Sequence, residues 1–132
     1  MSHITLDDYI SKIEDIKDYT KLIEWINSLG RELRVDPSIR VKEHYVYGCQ
    51  ASTWLKCSKV KGNLHFSFDS DSVIAKGVVK ILLDIINDKP ASEIKKLSLY
   101  DFRKIISRFP TERQKTFQYI LNRAHQLTGE TQ

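Results

Sequence analysis

Cys49 is the residue best placed to do chemistry. It follows Gly48 in a short connection, Gly48-Cys49-Gln50-Ala51, between two strand-like runs. A glycine there lets the backbone turn without a Cβ clash and leaves the next side chain sterically open. Thiolate is the reactive form, and an unperturbed cysteine has a pKa of about 8.5, so activation must come from nearby cations or N–H groups. Position alone leaves open both a reactive thiol and a buried, inert one. Cys57 stands in a strand-like run two positions past Leu55, where ordinary packing is the expected role.

Other chemistries fare less well. The four histidines, His3, His44, His65 and His125, are scattered. A cysteine hydrolase needs a paired histidine, an orienting group and an oxyanion hole, and the local signature of papain-like enzymes is absent around Cys49. Two cysteines are too few for a disulfide framework and wrongly spaced for a Cys-x-x-Cys redox pair. Four His/Cys ligands at finger-like spacing are also missing, so no metal site is expected. Asp69 and Asp71 read either as an acid pair or metal ligands, or more simply as caps for the helix that follows. Neither the Walker-type nor the dinucleotide-binding glycine pattern occurs.

Composition agrees with a soluble globular domain. With 41% hydrophobic and 29% charged residues, the 132-residue chain fits one globular domain over 1–132. The net charge of +4 comes without a tract of five or six like charges, which favours solubility over a nucleic-acid partner. The N-terminal residues lack a basic region followed by an apolar stretch, so no secretory signal is expected. The longest apolar-rich stretch, Val73 to Ile86, carries Lys76, Lys80 and Asp84 and falls short of the about 18 apolar residues of a membrane span. A cytoplasmic or equally reducing location is the expectation.

The elements that must position Cys49 follow from periodicity. Thr5-Leu6-Asp7-Asp8 reads as a capping-box-like start to a helix carrying Leu6, Tyr9, Ile10, Ile13 and Ile16. A second helix runs from about Thr20, with Leu22, Ile23, Ile26 and Leu29 on one face and Gly30 near its end. Arg34 to Arg40, with Pro37 inside, is an irregular connector. Val41 to Tyr47, Ser52 to Val60 and Asn63 to Phe68 are predicted as three antiparallel strands, the last two joined by a turn at Lys61-Gly62-Asn63. Asp69-Ser70-Asp71 then caps a helix through Ile86 that is apolar on most of its circumference and belongs centrally against the sheet. Gly77 inside it costs about 1 kcal/mol of helix propensity relative to Ala, which close approach of another backbone segment would offset. After Asn87-Asp88-Lys89-Pro90 come a short helical turn to Leu97, another from about Leu99 to Ser107, and a last helix capped by Thr111. Phe117, Ile120, Leu121 and Ala124 form its stripe, and Thr128 to Gln132 are expected to fray.

At Tyr47-Gly48-Cys49-Gln50-Ala51-Ser52-Thr53-Trp54-Leu55 the sequence resembles the SufE/CsdE family, whose pattern here is Gly-Cys-Gln-Ser-x-Val-Trp. Asp69-Ser70-Asp71-Ser72-Val73-Ile74-Ala75-Lys76-Gly77-Val78 is similar to the family's Asp-Ser-Asp-Ala-x-Ile-Val-Lys-Gly-Leu. Leu29-Gly30-Arg31-Glu32-Leu33 matches its Leu-Gly-x-x-Leu, and Arg113 with Phe117 to Leu121 fits its Arg-x-x-Gly-Leu-x-x-Met-Ile helix. The resemblance spans about residues 5 to 127.

It implies an α+β domain of order α-α-β-β-β-α-α-α with a small three-stranded antiparallel sheet packed by helices. It implies that Cys49, on the loop between the first two strands, takes persulfide sulfur from a SufS-like or CsdA-like cysteine desulfurase, stimulates that enzyme and passes sulfur to iron–sulfur cluster assembly. Pyridoxal phosphate belongs to that partner; no cofactor is expected on this chain. Gly48, Gln50, Asp69, Asp71 and Gly77 are candidates for loop support or partner contact, and in the family the resting cysteine tucks toward an apolar pocket. A non-catalytic adaptor and, less simply, an iron–sulfur scaffold are the alternatives; a scaffold would want three or more converging thiolates or histidines. Three departures stand out: Ala51 replaces Ser, Pro90 falls one residue early, and Arg108 stands where many members have histidine.

Overall fold

A reciprocal cap starts the first helix: Thr5 accepts from the Asp8 amide, and the Asp8 carboxylate accepts from the Thr5 amide. The computed structural model describes residues 4–130. Helix α1 (Leu6–Asp15) buries Tyr9 and Ile13, and α2 (Tyr19–Glu32), capped by Asp18, buries Leu22, Ile26, Leu29 and Gly30. Two single-turn 3-10 segments, Pro37–Ile39 and Lys42–His44, lead to the ribbon of β1 (Thr53–Val60) and β2 (Asn63–Ser70). Helix α3 (Val73–Ile86) follows, then α4 (Ala91–Lys96), a 3-10 turn (Leu99–Phe102) running into α5 (Arg103–Ile106), and the long α6 (Thr111–Glu130). The helical part after the sheet thus has one more short turn than the simple three-helix order.

The α+β class holds, but among the described residues the sheet has two strands rather than three. β1 and β2 pair antiparallel from Thr53↔Ser70 to Val60↔Asn63, closed by a two-residue turn in which Lys61 (φ 52°) and Gly62 (φ 85°) both adopt positive φ. Val41 to Tyr47 is not a strand. Ile39 is buried, and the His44 and Tyr45 amides bond back to Val41 and Lys42 carbonyls, so β-branched content is overridden by local turns. Among the described residues, the Tyr45↔Trp54 bridge and a Val46 N–H to Thr53 carbonyl bond (3.0 Å) are what remain on that edge. The other edge is covered by the chain after α3. Asn87 exchanges two side-chain hydrogen bonds with the Phe66 backbone (2.7 and 3.2 Å), and Leu64 bridges Lys89. Both edges are thereby blunted without full strands.

A two-stranded ribbon is marginal alone. Here Leu55, Leu64, Phe66 and Phe68 face a core completed by α3 and α6, with Phe117, Ile120, Leu121 and Ala124 contributed by α6. Helices α2 and α3 cross at two glycines. A Cβ on Gly77 would stand 1.9 Å from the Ile26 carbonyl oxygen, and one on Gly30 would stand 2.1 Å from that of Val73. The close approach expected at Gly77 is therefore to α2, and it makes Gly77 part of the scaffold rather than of a cysteine pocket.

Three terminal expectations change. Ser72, not an aspartate, caps α3, its Oγ accepting from the Ala75 amide. Thr111 is the first residue of α6 rather than its cap, since the Arg113 and Gln114 amides bond the Pro110 carbonyl. Helix α6 does not fray at Thr128, which is buried with its hydroxyl on the His125 carbonyl; Thr131 and Gln132 lie outside the described residues, as does His3. Arg108, the departure from the family histidine, donates to the Ile13 and Ile16 carbonyls (2.9 and 2.6 Å) and so caps the C-terminal end of α1.

Candidate functional site

The segment from Tyr47 to Ser52 is a loop held at both ends. Val46 pairs with Thr53 on one side, and the Asp71 amide donates to the Ser52 carbonyl (3.1 Å) on the other, which ties the loop to the end of β2. Gly48 has φ 101°, a conformation that costs an L-residue but not glycine, and a Cβ there would meet the Tyr119 ring of α6 at 3.4 Å. Gln50 turns outward and accepts a hydrogen bond from Arg113 Nη2 at 2.9 Å. Between them Cys49 is half-buried, its side chain packed against the edge of the hydrophobic core. The loop, a pivot, a tether and the sulfur thus come together, as do Asp71 and Ser52.

The electrostatics around the sulfur are divided. Burial pushes the Cys49 pKa above its ordinary value, while the neighbouring Thr53 hydroxyl and the Arg113 guanidinium pull in the other direction and are outweighed. In this position burial therefore works against the thiolate form. Thr53 is fully buried, and its hydroxyl lies near this sulfur without forming a hydrogen bond of ordinary geometry; Arg113 Nη1 is likewise buried without a hydrogen-bond partner. The Thr53 hydroxyl has donor capacity to spare and the Arg113 charge acts on the sulfur from α6, an arrangement that favours a sulfur anion whenever one forms.

Asp69 and Asp71 do not cap the helix, and both carboxylates are taken up in ion pairs. Both are forked by Arg40, with Nε to Asp69 at 2.7 Å and Nη1 to Asp71 at 2.8 Å. Asp69 is 2% exposed; burial works to raise its pKa, yet the Arg40 hydrogen bond, the Ser70 amide and the charges of Arg40 and Lys76 outweigh it and hold it below the usual carboxylate range. Asp69 is thus an internal support, while Asp71 remains open to solvent at the rim of the loop. Arg40 also stacks on Trp54 (4.4 Å to the ring centroid), and Trp54, Tyr45 and Tyr47 continue as edge-to-face pairs at 5.8 and 4.8 Å. This row of rings runs from the Asp69/Asp71 fork to the residue before Gly48. Beside it, Tyr45, Tyr47, Tyr119, Lys42 and Arg123 line a groove of about 480 Å³.

The remaining candidates stand elsewhere. His44 bonds the Ile39 carbonyl through Nδ1, and His65 pairs with Asp88 (3.2 Å) on the hairpin. Cys57 lies opposite Phe66 in mid-ribbon, half-buried against the core. Among the described residues no group of three or more His, Cys, Asp or Glu side chains converges, and no helix is long and apolar enough to cross a membrane. Sequence reasoning missed Arg40 and Thr53, and placed Arg113 only by its helix pattern. The signal for Arg40 was the pair of acids it neutralises.

Comparison with known proteins covers most of the chain, this loop included. The model of the family described as "SufE: Fe-S metabolism associated domain" matches residues 7–128. An uncharacterized SufE-like protein of Rhizobium meliloti is 32% identical over 108 residues, covering 76% of each chain. A chloroplastic SufE-like protein 2 of Arabidopsis thaliana is 29% identical over 92 residues, which is 69% of this chain and 34% of that one. A solution structure of a hypothetical protein from Thermus thermophilus superposes with a TM-score of 0.78 over 98% of this chain and 97% of that one, at 12% identity; this likeness concerns the fold alone.

Proposed function

This chain belongs to the SufE family, and from that premise we propose that it is a sulfur carrier in which Cys49 accepts persulfide sulfur from a cysteine desulfurase. The observation that carries the reading is a single thiol on a glycine-pivoted loop, docked against the core and tethered by one Gln50–Arg113 bond. Docked, the thiol is shielded and burial works against its ionisation. Released, it loses the burial that suppresses ionisation and becomes a nucleophile able to reach into a recessed site.

The transfer is a sulfur-to-sulfur displacement. Cys49 thiolate attacks the outer sulfur of the enzyme's cysteine persulfide, the S–S bond breaks toward the inner sulfur, and the enzyme thiolate leaves; the outer sulfur keeps its proton and Cys49-S-SH results. A second thiolate, on the acceptor that feeds iron–sulfur assembly, repeats the displacement and returns Cys49 to its starting state. Pyridoxal phosphate serves the desulfurase partner, which makes the persulfide. Gly48 and Gln50 set the loop's pivot and tether, Asp69 fixes its base, and Asp71 is the exposed acid on the face that meets the enzyme. Acids on such a rim act through association rate and orientation.

The test is desulfurase turnover on cysteine with and without this protein. Wild type accelerates turnover by draining persulfide; Cys49→Ser does not. Acceleration by Cys49→Ser equal to wild type replaces the carrier with a non-catalytic adaptor.

A further inference from the structure

Thr53 opens β1, four residues after Cys49. Threonine has nearly the shape of valine, but it brings a hydroxyl into a fully buried position. A buried hydroxyl without a partner is costly, so its presence calls for a reason. Thr53 is 0% exposed, its Oγ1 has no hydrogen-bond partner, and its backbone is fixed by pairing with both Val46 and Ser70. It cannot turn away to solvent. The group that shares its surroundings is the Cys49 sulfur, four residues back across the loop.

We propose that the Thr53 hydroxyl is a donor to the Cys49 sulfur in its anionic forms, the thiolate before transfer and the persulfide after it. A neutral thiol is a weak acceptor, which fits the absence of a well-formed bond in the resting state; a sulfur anion is a strong one. The hydroxyl acts together with the charge of Arg113 from α6, which bears on the sulfur and whose Nη1 is also without a partner. Threonine at this position gives the docked loop a way to hold an anion that valine lacks. The thiolate half of the inference stands independently of the sulfur-carrier reading; the persulfide half rests on it.

The experiment uses the full chain with Cys57→Ser, so that one thiol remains, and no desulfurase. The Cβ chemical shift of isotope-labelled Cys49 is followed by NMR against pH in the Thr53 parent, Thr53→Val and Thr53→Ser. The expected result is a raised titration midpoint in Thr53→Val, with the thiolate fraction at neutral pH reduced about two- to tenfold, the range of one hydrogen bond. Thr53→Ser, which restores the donor, stays within about twofold of the parent. Thermal unfolding of Thr53→Val is unchanged or higher, because an unpaired buried hydroxyl has been removed. A second readout loads each variant with inorganic polysulfide and follows persulfide loss by intact mass; the valine variant loses it faster. Superimposable titrations of parent and Thr53→Val overturn the proposal, as does a serine variant that titrates like valine. Because neither readout involves an enzyme partner, these results are independent of whether Cys49 accepts sulfur from a desulfurase.

Discussion

Gln50 Oε1 accepts a hydrogen bond from Arg113 Nη2 at 2.9 Å, joining the cysteine loop to α6 across 63 residues of sequence. Among the described side chains of residues 47–52, this is the hydrogen bond that restrains the loop tip, and it is exposed, so its net worth is small. A tether of that strength holds a loop without locking it. Gln50→Ala removes the acceptor and leaves the Arg113 charge in place. The expected outcome is a rise in the iodoacetamide alkylation rate of Cys49 of about two- to tenfold, the range of one hydrogen bond. An unchanged rate places the restraint elsewhere.

The pH dependence of the docked loop follows from the sign of the Cys49 shift. Burial raises the pKa of the docked thiol, so the docked state binds a proton more tightly than the released one. Docking is therefore fully favoured below the ordinary cysteine pKa of about 8.5 and is weakened as pH rises from there through the raised value. Tyr119 and Gly48 resonances should report this as a shift toward a released-loop spectrum in that alkaline window, absent in Cys49→Ser. A titration that moves the loop in the acid range instead contradicts the assignment.

At the α2–α3 crossing, Gly77→Ala puts a Cβ into the Ile26 carbonyl, a backbone atom that cannot step aside. Helix propensity gains about 1 kcal/mol from the change, but overpacking typically costs about 1–3 kcal/mol and more against backbone. A net loss of about 1–3 kcal/mol in denaturant unfolding is expected. Arg108→Ala removes two hydrogen bonds to the α1 carbonyls and should cost about 1–2 kcal/mol. Neither variant alters the Cys49 surroundings.

Arg40→Ala leaves Asp69 buried with Lys76, at 3.7 Å, as its remaining charged neighbour among the described residues. The Asp69 pKa, now held low, should rise, and the variant should lose stability as pH falls through a higher range than wild type does. The row of Trp54, Tyr45 and Tyr47 rings loses its cation, so the tryptophan fluorescence should change as well. An Asp69 titration identical to wild type would show the fork to be incidental.

Much of the fold was legible because it is encoded locally. The apolar run from Val73 to Ile86, the Thr5 capping box and the Lys61-Gly62 turn each carry their signal within a few residues, and each appears where its residues indicate. Cys49 was legible for the same reason, next to its glycine. What failed depends on distant chain. Val41 to Tyr47 has strand composition, but whether it pairs is decided by turns at buried Ile39 and by the edge of β1. Asp69 and Asp71 read as caps because Arg40, which claims them, lies 29 and 31 residues upstream. Thr53 looked like one more β-branched strand residue; only the folded loop brings Cys49 back beside it.

The central claim is that Cys49 carries sulfur. Intact-mass spectrometry after incubation with a cysteine desulfurase and cysteine tests it most directly. Wild type and Cys57→Ser should each gain the mass of one sulfur atom, reversed by a reducing thiol, and Cys49→Ser should gain none. Sulfur on Cys49→Ser, or none on wild type while the desulfurase turns over, contradicts the account.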